Sequence, residues 1–269
     1  MTTLDDNERV TEGQRQLLGP VLFARYAYPP NALGFCGPAD AADLFGTAAA
    51  GSDAGQLRHL ATGFEGAWPY LELIAAANHI TDPLDPRVVE AYWLGNALTQ
   101  RVTPTLLASS LDDRFSRRAG ARFDSLVGAV PDGGIPQHSF HVFAVYPWVG
   151  LLRAGRGDAP LQVLDQCRIR WGTVEAVTGD WATVRSRGLV FDGSRLTLGA
   201  ERLEEVRHGE DGTGLIGRLT CGDVVALHWD WVCDRLTAQN LRWLRYCTLR
   251  NLAAVNAQAK PGPAVVCDA

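Results

Sequence analysis

Two segments of this 269-residue chain decide its fold: CRIRWGTVEAVTGDWATV at residues 167–184 and CGDVVALHWDWVCDRL at residues 221–236. The first supplies apolar and β-branched residues on both sides of Thr178-Gly179-Asp180, a sequence that favours a tight turn between two strands. In the second, Gly222-Asp223 indicates another turn, and the apolar strand after it carries His228 near its end. The pattern predicts a small, curled β-structure with a thiol at its entrance and an imidazole on a later strand.

The N-terminal half has helical spacing instead. Apolar residues recur at helical intervals from Gln14 to Ala27. The sequence Tyr28-Pro29-Pro30-Asn31 is expected to end that helix, because proline has no N–H and restricts the residue before it. The segment from His138 to Leu152 is apolar and aromatic but contains Pro147; we favour a kinked helix there over a helix–turn pair. Further helices are predicted at residues 39–50, 54–63, 67–79, 86–98 and 103–118.

These patterns together predict an α+β fold with two domains. The glycine-containing segment from Arg153 to Pro160 is expected to be a linker. An α-helical N-terminal domain is then placed at residues 14–157, and a small β-barrel with a C-terminal helix at residues 162–257. The terminal helix is predicted from Thr237 to Asn256, with Thr237 as its N-cap.

Composition excludes several classes of function. The formal net charge is −5 and no basic stripe is present, which argues against a nucleic-acid or anionic-membrane partner. No apolar run approaches the length of a membrane span, and the polar N-terminus does not resemble a signal peptide. The six cysteines lack CxxC spacing, which is typical of reduced thiols. We therefore expect a cytoplasmic protein.

The C-terminal segment, over about residues 167–256, resembles the HypC/HupF chaperones of nickel–iron hydrogenase maturation. That family has a cysteine, then a glycine, a hydrophobic run, Gly-Asp, alanine and valine, followed later by a Gly-Asp segment that ends in histidine. In this chain the matching residues are Cys167, Gly172, Val174, Val177, Gly179, Asp180, Ala182, Val184, Gly222, Asp223, Val225 and His228. The resemblance implies a HypC-like (OB-like) barrel. Cys167 is internal here, whereas the family's cysteine is exposed at the mature N-terminus.

Cys167 and His228 form the first candidate site. A thiolate and a neutral imidazole are good ligands for a borderline-soft metal, although free cysteines and strand histidines are also common as plain core residues. The resemblance implies that they bind iron as an Fe(CN)2(CO) intermediate, with a HypD-like scaffold protein or a hydrogenase large subunit as partner. It thus predicts an accessory protein of hydrogenase maturation.

A second candidate group lies in the helical half and predicts a different function. Cys36 sits in a loop bounded by glycine and proline, and loops often display functional groups. His138 and His141 are three residues apart, so on a helix they share a face and could ligate one metal. Glu65 is a candidate acid or base, with a solvated helix face as the alternative. These residues predict a small-molecule enzyme in which Cys36 and the two histidines line one cavity.

Overall fold

The computed structural model of this protein describes residues 12–119, 130, 133–156 and 158–258. The helical part is followed by a five-stranded sheet and a C-terminal helix, so the predicted α+β class and its terminal helix are confirmed. Within the described ranges, no helix combines the length and the apolar composition that crossing a bilayer requires. The helical part comprises α1 (Glu12–Ala32), α2 (Ala41–Ala50), α3 (Ala54–Thr62), α4 (Trp68–Ala77), α5 (Pro86–Trp93), a 3-10 turn (Ala97–Arg101), α6 (Pro104–Ala119), α7 (His138–Phe140), a π-helical turn (His141–Val145), α8 (Trp148–Arg153) and α9 (Ala159–Cys167).

Helix α1 runs through Pro29 and Pro30, so the predicted end before these prolines is wrong. Each proline leaves the carbonyl four residues earlier without its helical donor, which frees the carbonyls of Arg25 and Tyr26. Burial of the aromatic face of the helix opposes this loss. Phe23 and Tyr26 are both fully buried in the core, and such packing contributes more to helix stability than local propensity does.

The segment from His138 to Leu152 forms two helical pieces, so the favoured kinked helix is wrong. The π-helical turn ends at Val145, and α8 begins at Trp148. Between them Tyr146 is extended, with φ −68° and ψ 148°. Pro147 explains this geometry, because the ring of a proline pushes the preceding residue out of the helical region.

The five strands are β1 (Arg170–Thr178), β2 (Trp181–Phe191), β3 (Leu196–Arg207), β4 (Val224–His228) and β5 (Trp231–Arg235). They pair in the order β1-β2-β3-β5-β4, and the order closes on itself because β4 also pairs with β1. The predicted turn at Gly179-Asp180 joins β1 to β2, with Gly179 at φ +58°. His228 is the last residue of β4, as the sequence predicted.

The thiol expected at the entrance of the β-structure, Cys167, should have begun its first strand, and that prediction is wrong. Cys167 is the last residue of α9, and β1 begins at Arg170. Pro160 occupies the first turn of α9, where a missing N–H costs nothing. Leu164, one turn further on, is fully buried, so the apolar spacing before Cys167 is that of a helix.

The C-terminal helix α10 (Ala238–Ala257) agrees with its predicted bounds to within one residue. Thr237 and Asn240 form a capping box, in which each side chain bonds the backbone N–H of the other.

One hydrophobic core includes residues from α1, α4 and α5 together with Trp231 of β5. Tyr28 packs edge-on against that indole, with 5.3 Å between ring centroids. The division into domains at 14–157 and 162–257 stays a prediction.

A buried ionic network joins α9 to the sheet. Asp165 is 5% exposed and accepts hydrogen bonds from Arg168 (2.9 Å), from Arg202 (2.8 Å) and from the backbone N–H of Leu189 (2.9 Å). Arg170, which is fully buried, donates to Glu204 at 3.1 Å. Each buried charge therefore has a partner, which is the condition for tolerating charge in a core.

Asp165→Ala is expected to lower the free energy of unfolding by about 3–5 kcal/mol, because it leaves Arg168 buried without a counter-charge. Glu175→Ala is the matched control. It breaks an arginine–carboxylate pair in which both side chains are well exposed (46% and 39%), and it should cost less than about 1 kcal/mol. Urea unfolding monitored by tryptophan fluorescence measures both. Equal losses in the two variants would contradict the assignment of this network to the core.

Candidate metal centre

Three side chains from separate elements converge in the interior: His138 at the start of α7, Cys167 at the end of α9 and His228 at the end of β4. One ligand atom from each lies within 4.8 Å of the other two. The two imidazole rings are 5.1 Å apart and nearly perpendicular, at 76°. A thiolate and two imidazoles suit Zn²⁺, copper or iron. The three residues therefore form a candidate metal centre.

His228 is held in one tautomer. Its Nδ1 lies 2.6 Å from the carbonyl oxygen of Tyr26, and a carbonyl can only accept, so Nδ1 carries the proton. The opposite nitrogen, Nε2, is then an unprotonated base. It is buried and has no hydrogen-bond partner among the residues described. The described residues thus supply no donor for the lone pair of this nitrogen.

The acceptor for His228 exists because of Pro30. In an uninterrupted helix the Tyr26 carbonyl would accept the N–H of residue 30, but proline has none. The freed carbonyl of Tyr26 takes the imidazole proton instead. Metal-binding histidines commonly donate their second N–H to a backbone carbonyl, which fixes the ring and the tautomer. The prolines in α1 therefore orient His228 toward the cluster.

His138 is engaged at both nitrogens. Its Nε2 lies 2.8 Å from the carbonyl oxygen of Cys167, so Nε2–H donates to that oxygen. Nδ1 lies 3.1 Å from the hydroxyl of Tyr92 and accepts its proton. Burial lowers the pKa of His138 to about 4, so the ring is neutral, and the Cys167 carbonyl keeps its proton on Nε2. To bind a metal through Nε2, His138 would have to give up this hydrogen bond and carry its proton on Nδ1, which could then donate to the Tyr92 oxygen.

The electrostatics of the cluster favour neutral groups. Burial lowers the pKa of His228 well below its usual range and the neighbouring His138 lowers it further, against the smaller opposing effect of the hydrogen bond to the Tyr26 carbonyl. Burial also raises the pKa of the Cys167 thiol far above its ordinary value. Cys167 is partly exposed as a whole residue, whereas its sulfur belongs to the buried group. A bound metal would replace the thiol proton and turn this sulfur into a thiolate ligand.

The backbone around Trp229 fixes Cys167 and His228 relative to each other. Trp229 has φ +54°, an unfavourable conformation for a bulky side chain that costs about 1–3 kcal/mol. Its N–H donates to the Gln166 carbonyl at 2.8 Å, and its carbonyl accepts from buried Arg170 at 2.6 Å. Trp229, which follows His228, is thereby hydrogen-bonded to Gln166, which precedes Cys167. Strain at this position is stored beside the cluster, where functional sites often keep it.

The remaining predicted residues lie outside the three-residue group. His141 is buried, and its ring meets those of Tyr146 and Tyr70 at centroid distances of 4.5 and 5.6 Å. Glu65 is exposed on a turn. Cys36 is partly buried, and the negative charge that its thiolate would carry raises the pKa of Cys167. The cavity predicted for Cys36 with the two histidines stays a prediction.

Sequence reasoning paired Cys167 with His228 but assigned His138 to a separate, helical site. Nothing in the spacing joins these three, because they lie on segments that only the tertiary fold brings together. Tyr26 and Tyr92, which orient the two imidazoles, were also missed. A Pro-Pro pair inside an otherwise helical pattern was the available signal, since it marks a pair of carbonyls that need other donors.

Residues 15–262 match the model of a family of unknown function, DUF6390. The chain belongs to this family. The resemblance to HypC/HupF is therefore wrong: one family spans the helical part and the sheet alike, and no HypC/HupF model matches. The order of glycine, Gly-Asp and valine residues that suggested it is common to many strand–turn–strand segments. No curated protein and no solved structure gives a match.

Tyr92→Phe is expected to lower the free energy of unfolding of the metal-free protein by about 1–3 kcal/mol, because Nδ1 of His138 is left buried without a donor. Tyr26→Phe is a close control. Tyr26 is equally buried, but its hydroxyl has no hydrogen-bond partner in the described part of the chain, so its loss should cost little. Urea unfolding with a chelator present measures both. A larger loss in Tyr26→Phe would contradict the hydrogen-bond assignment at His138.

Proposed function

We propose that this protein binds one transition-metal ion at His138, Cys167 and His228, and that the ion joins the helical part to the sheet. Two observations carry the proposal: Nε2 of His228 is buried without a hydrogen-bond partner among the described residues, and a ring nitrogen of His228 lies within 4.8 Å of a buried thiol and a second imidazole. A buried polar atom left without a partner costs about 1–3 kcal/mol. A bound ion would satisfy it.

The ligand types restrict the metal. The group offers one sulfur and two imidazole nitrogens, and no carboxylate belongs to it. Ca²⁺ and Mg²⁺ prefer oxygen ligands, which disfavours both. Zn²⁺ and Fe²⁺ accept this donor set, and Zn²⁺ takes it readily in tetrahedral sites. The iron–cyanide–carbonyl cargo is not part of the proposal, because the family resemblance was its support and the chain belongs to a different family.

The placement of the ligands favours a role in holding the molecule together. His138 belongs to the helical part, His228 to the sheet, and Cys167 to the helix that leads from one to the other. An ion bound to all three would link segments 90 residues apart, from 138 to 228. Ligation of the native state alone stabilises it by mass action. The small-molecule enzyme predicted around Cys36, His138 and His141 stays a prediction, and His138 is shared by both sites.

Metal titration tests the proposal. Chelator-treated protein should bind one Zn²⁺ or Fe²⁺ per chain, and a free concentration 100 times the dissociation constant should add about 2.7 kcal/mol to the free energy of unfolding. Cys167→Ala and His228→Ala should each lose the ion. Cys221→Ala is the control, since Cys221 is exposed and its thiol donates a hydrogen bond to the Glu175 carbonyl. Calorimetric titration with metal analysis gives the result; a wild-type protein that binds no ion refutes the site.

Pro30→Ala should weaken metal binding by about 10–100-fold, the usual effect of losing a group that orients a ligand histidine. The new N–H at residue 30 would donate to the Tyr26 carbonyl and compete with His228 for it. Pro29→Ala is the matched control, because its new N–H would reach the Arg25 carbonyl, which does not bond His228. Both changes remove a proline from the same helix. Equal affinities in the two variants would mean that Pro30 does not act through His228.

A further inference from the structure

We propose that the outer edge of strand β3 binds an extended, basic segment of a partner protein, which adds a strand to the sheet. This interaction does not involve the metal centre. Strand addition at an exposed sheet edge is a recurring mode of peptide recognition, in which main-chain hydrogen bonds supply affinity and pockets for alternate side chains supply specificity. The edge of β3 offers both features.

Strand β3 has a free side along most of its length. One side pairs with β2 between Leu196 and Arg207, whereas the other side pairs with β5 only at Arg207. Among the described strands, no further partner reaches that side. The N–H and C=O groups of an unpaired edge form a template for another strand.

The backbone groups on the free side belong to Glu201, Leu203 and Glu205. The N–H of Arg207 donates to the carbonyl of Asp230 at 2.7 Å, away from β2. The register between β2 and β3 has no shift over residues 201–207, and the two sides of a strand are served by alternate residues. Every second residue before Arg207 therefore directs its N–H and C=O toward the free side. All three of these residues are exposed.

A cavity of about 500 Å³ lies between this edge and helix α9. Glu204 and Glu205 both line it. Because the side chains of consecutive strand residues point to opposite faces of a sheet, the cavity reaches the edge of the strand itself. Leu161 and Leu189 give the cavity an apolar part, and Gln162 of α9 borders it. A side chain of an added strand would enter this space.

The charges around the cavity select a basic occupant. Asp165 and Glu204 are already paired with buried arginines. Arg202, which also lines the cavity, donates to Asp165 at 2.8 Å. Asp158 and Glu205 line it at exposed positions, and neither has an ion pair within the part of the chain that the structure describes. A lysine or arginine would lay its aliphatic stem along the two leucines and place its charge beside these two carboxylates.

A second copy of this chain is a poorer occupant of the edge. The formal net charge of the chain is −5. Two β3 edges paired about Leu203 would set Glu201 opposite Glu205 of the second copy, and like charges directly opposite destabilise a strand pair. The acidic edge therefore opposes self-pairing and favours a basic strand.

Fluorescence anisotropy with the full-length protein tests the proposal. The probe is a labelled peptide of about six residues, the usual strand length, that alternates valine and arginine. Wild type should bind it, and a peptide with glutamate in place of arginine should bind at least about 10-fold more weakly because its charge matches that of the edge. A third peptide, N-methylated at its valines, keeps the positive charge but cannot donate to β3; it should also bind at least about 10-fold more weakly.

A pair of variants at one position tests the edge from the side of the protein. Leu203→Pro removes an N–H from the free side of β3, where an edge strand tolerates proline, and should weaken binding of the valine–arginine peptide at least about 10-fold. Leu203→Ala is the matched control. It keeps the N–H, and the side chain that it shortens lies on the sheet face opposite to that of Glu204, so the affinity should stay within about threefold of wild type. Circular dichroism checks that both variants fold.

Three outcomes would overturn the proposal. Equal binding of the methylated and unmethylated basic peptides to wild type would mean attraction by charge alone, without an added strand, whatever the fate of Leu203→Pro. A wild-type protein that is dimeric by light scattering, and that becomes monomeric as Leu203→Pro, would put a second copy on the edge. Failure of wild type to bind the valine–arginine peptide would leave the edge without the proposed specificity.

Discussion

The candidate metal centre depends on the hydrogen bond between the imidazole Nδ1–H of His228 and the carbonyl of Tyr26, at 2.6 Å. The bond exists because Pro30 has no N–H to occupy that carbonyl, and it decides which nitrogen of His228 keeps a lone pair. With Nδ1 protonated, Nε2 is a base in an interior where no described group donates to it. Proteins rarely leave such an atom unsatisfied unless a ligand, a water or an ion serves it.

The surroundings of this bond include a strained residue and a buried ion pair. Trp229 holds an unfavourable backbone conformation, and its two backbone bonds, to Gln166 and from Arg170, hold it there. Arg170 is itself fully buried and paired with Glu204. A strained residue lowers stability, and apolar side chains of similar size could often replace a buried ion pair without loss of stability. Their presence on one side of the cluster fits a site whose geometry is constrained by binding.

Several parts of the fold follow from local rules. The turns at Gly179-Asp180 and Gly222-Asp223, the helix cap at Thr237 and the position of His228 at a strand end all depend on short-range chemistry that spacing reveals. The end of α1 could not be predicted in this way. Burial of Phe23 and Tyr26 against distant segments outweighs the local penalty of two prolines, and a single sequence does not show that packing.

The site was predictable only in part, for the same reason. Cys167 and His228 were paired on a resemblance that proved wrong, because Gly-Asp turns between short strands recur in unrelated proteins. His138 was assigned elsewhere, since residues 138, 167 and 228 meet only in the folded chain. Cys167 was expected to begin a strand, whereas it is the last residue of helix α9. Tertiary placement, rather than residue type, was the missing information.

Anomalous diffraction from crystals of the zinc-loaded protein, recorded on both sides of the zinc absorption edge, tests the central claim most directly. The account predicts one peak, about 2.3 Å from Sγ of Cys167 and about 2.0–2.1 Å from Nε2 of His228 and a ring nitrogen of His138. No peak between these residues, or a zinc ion bound only at other positions, would contradict it.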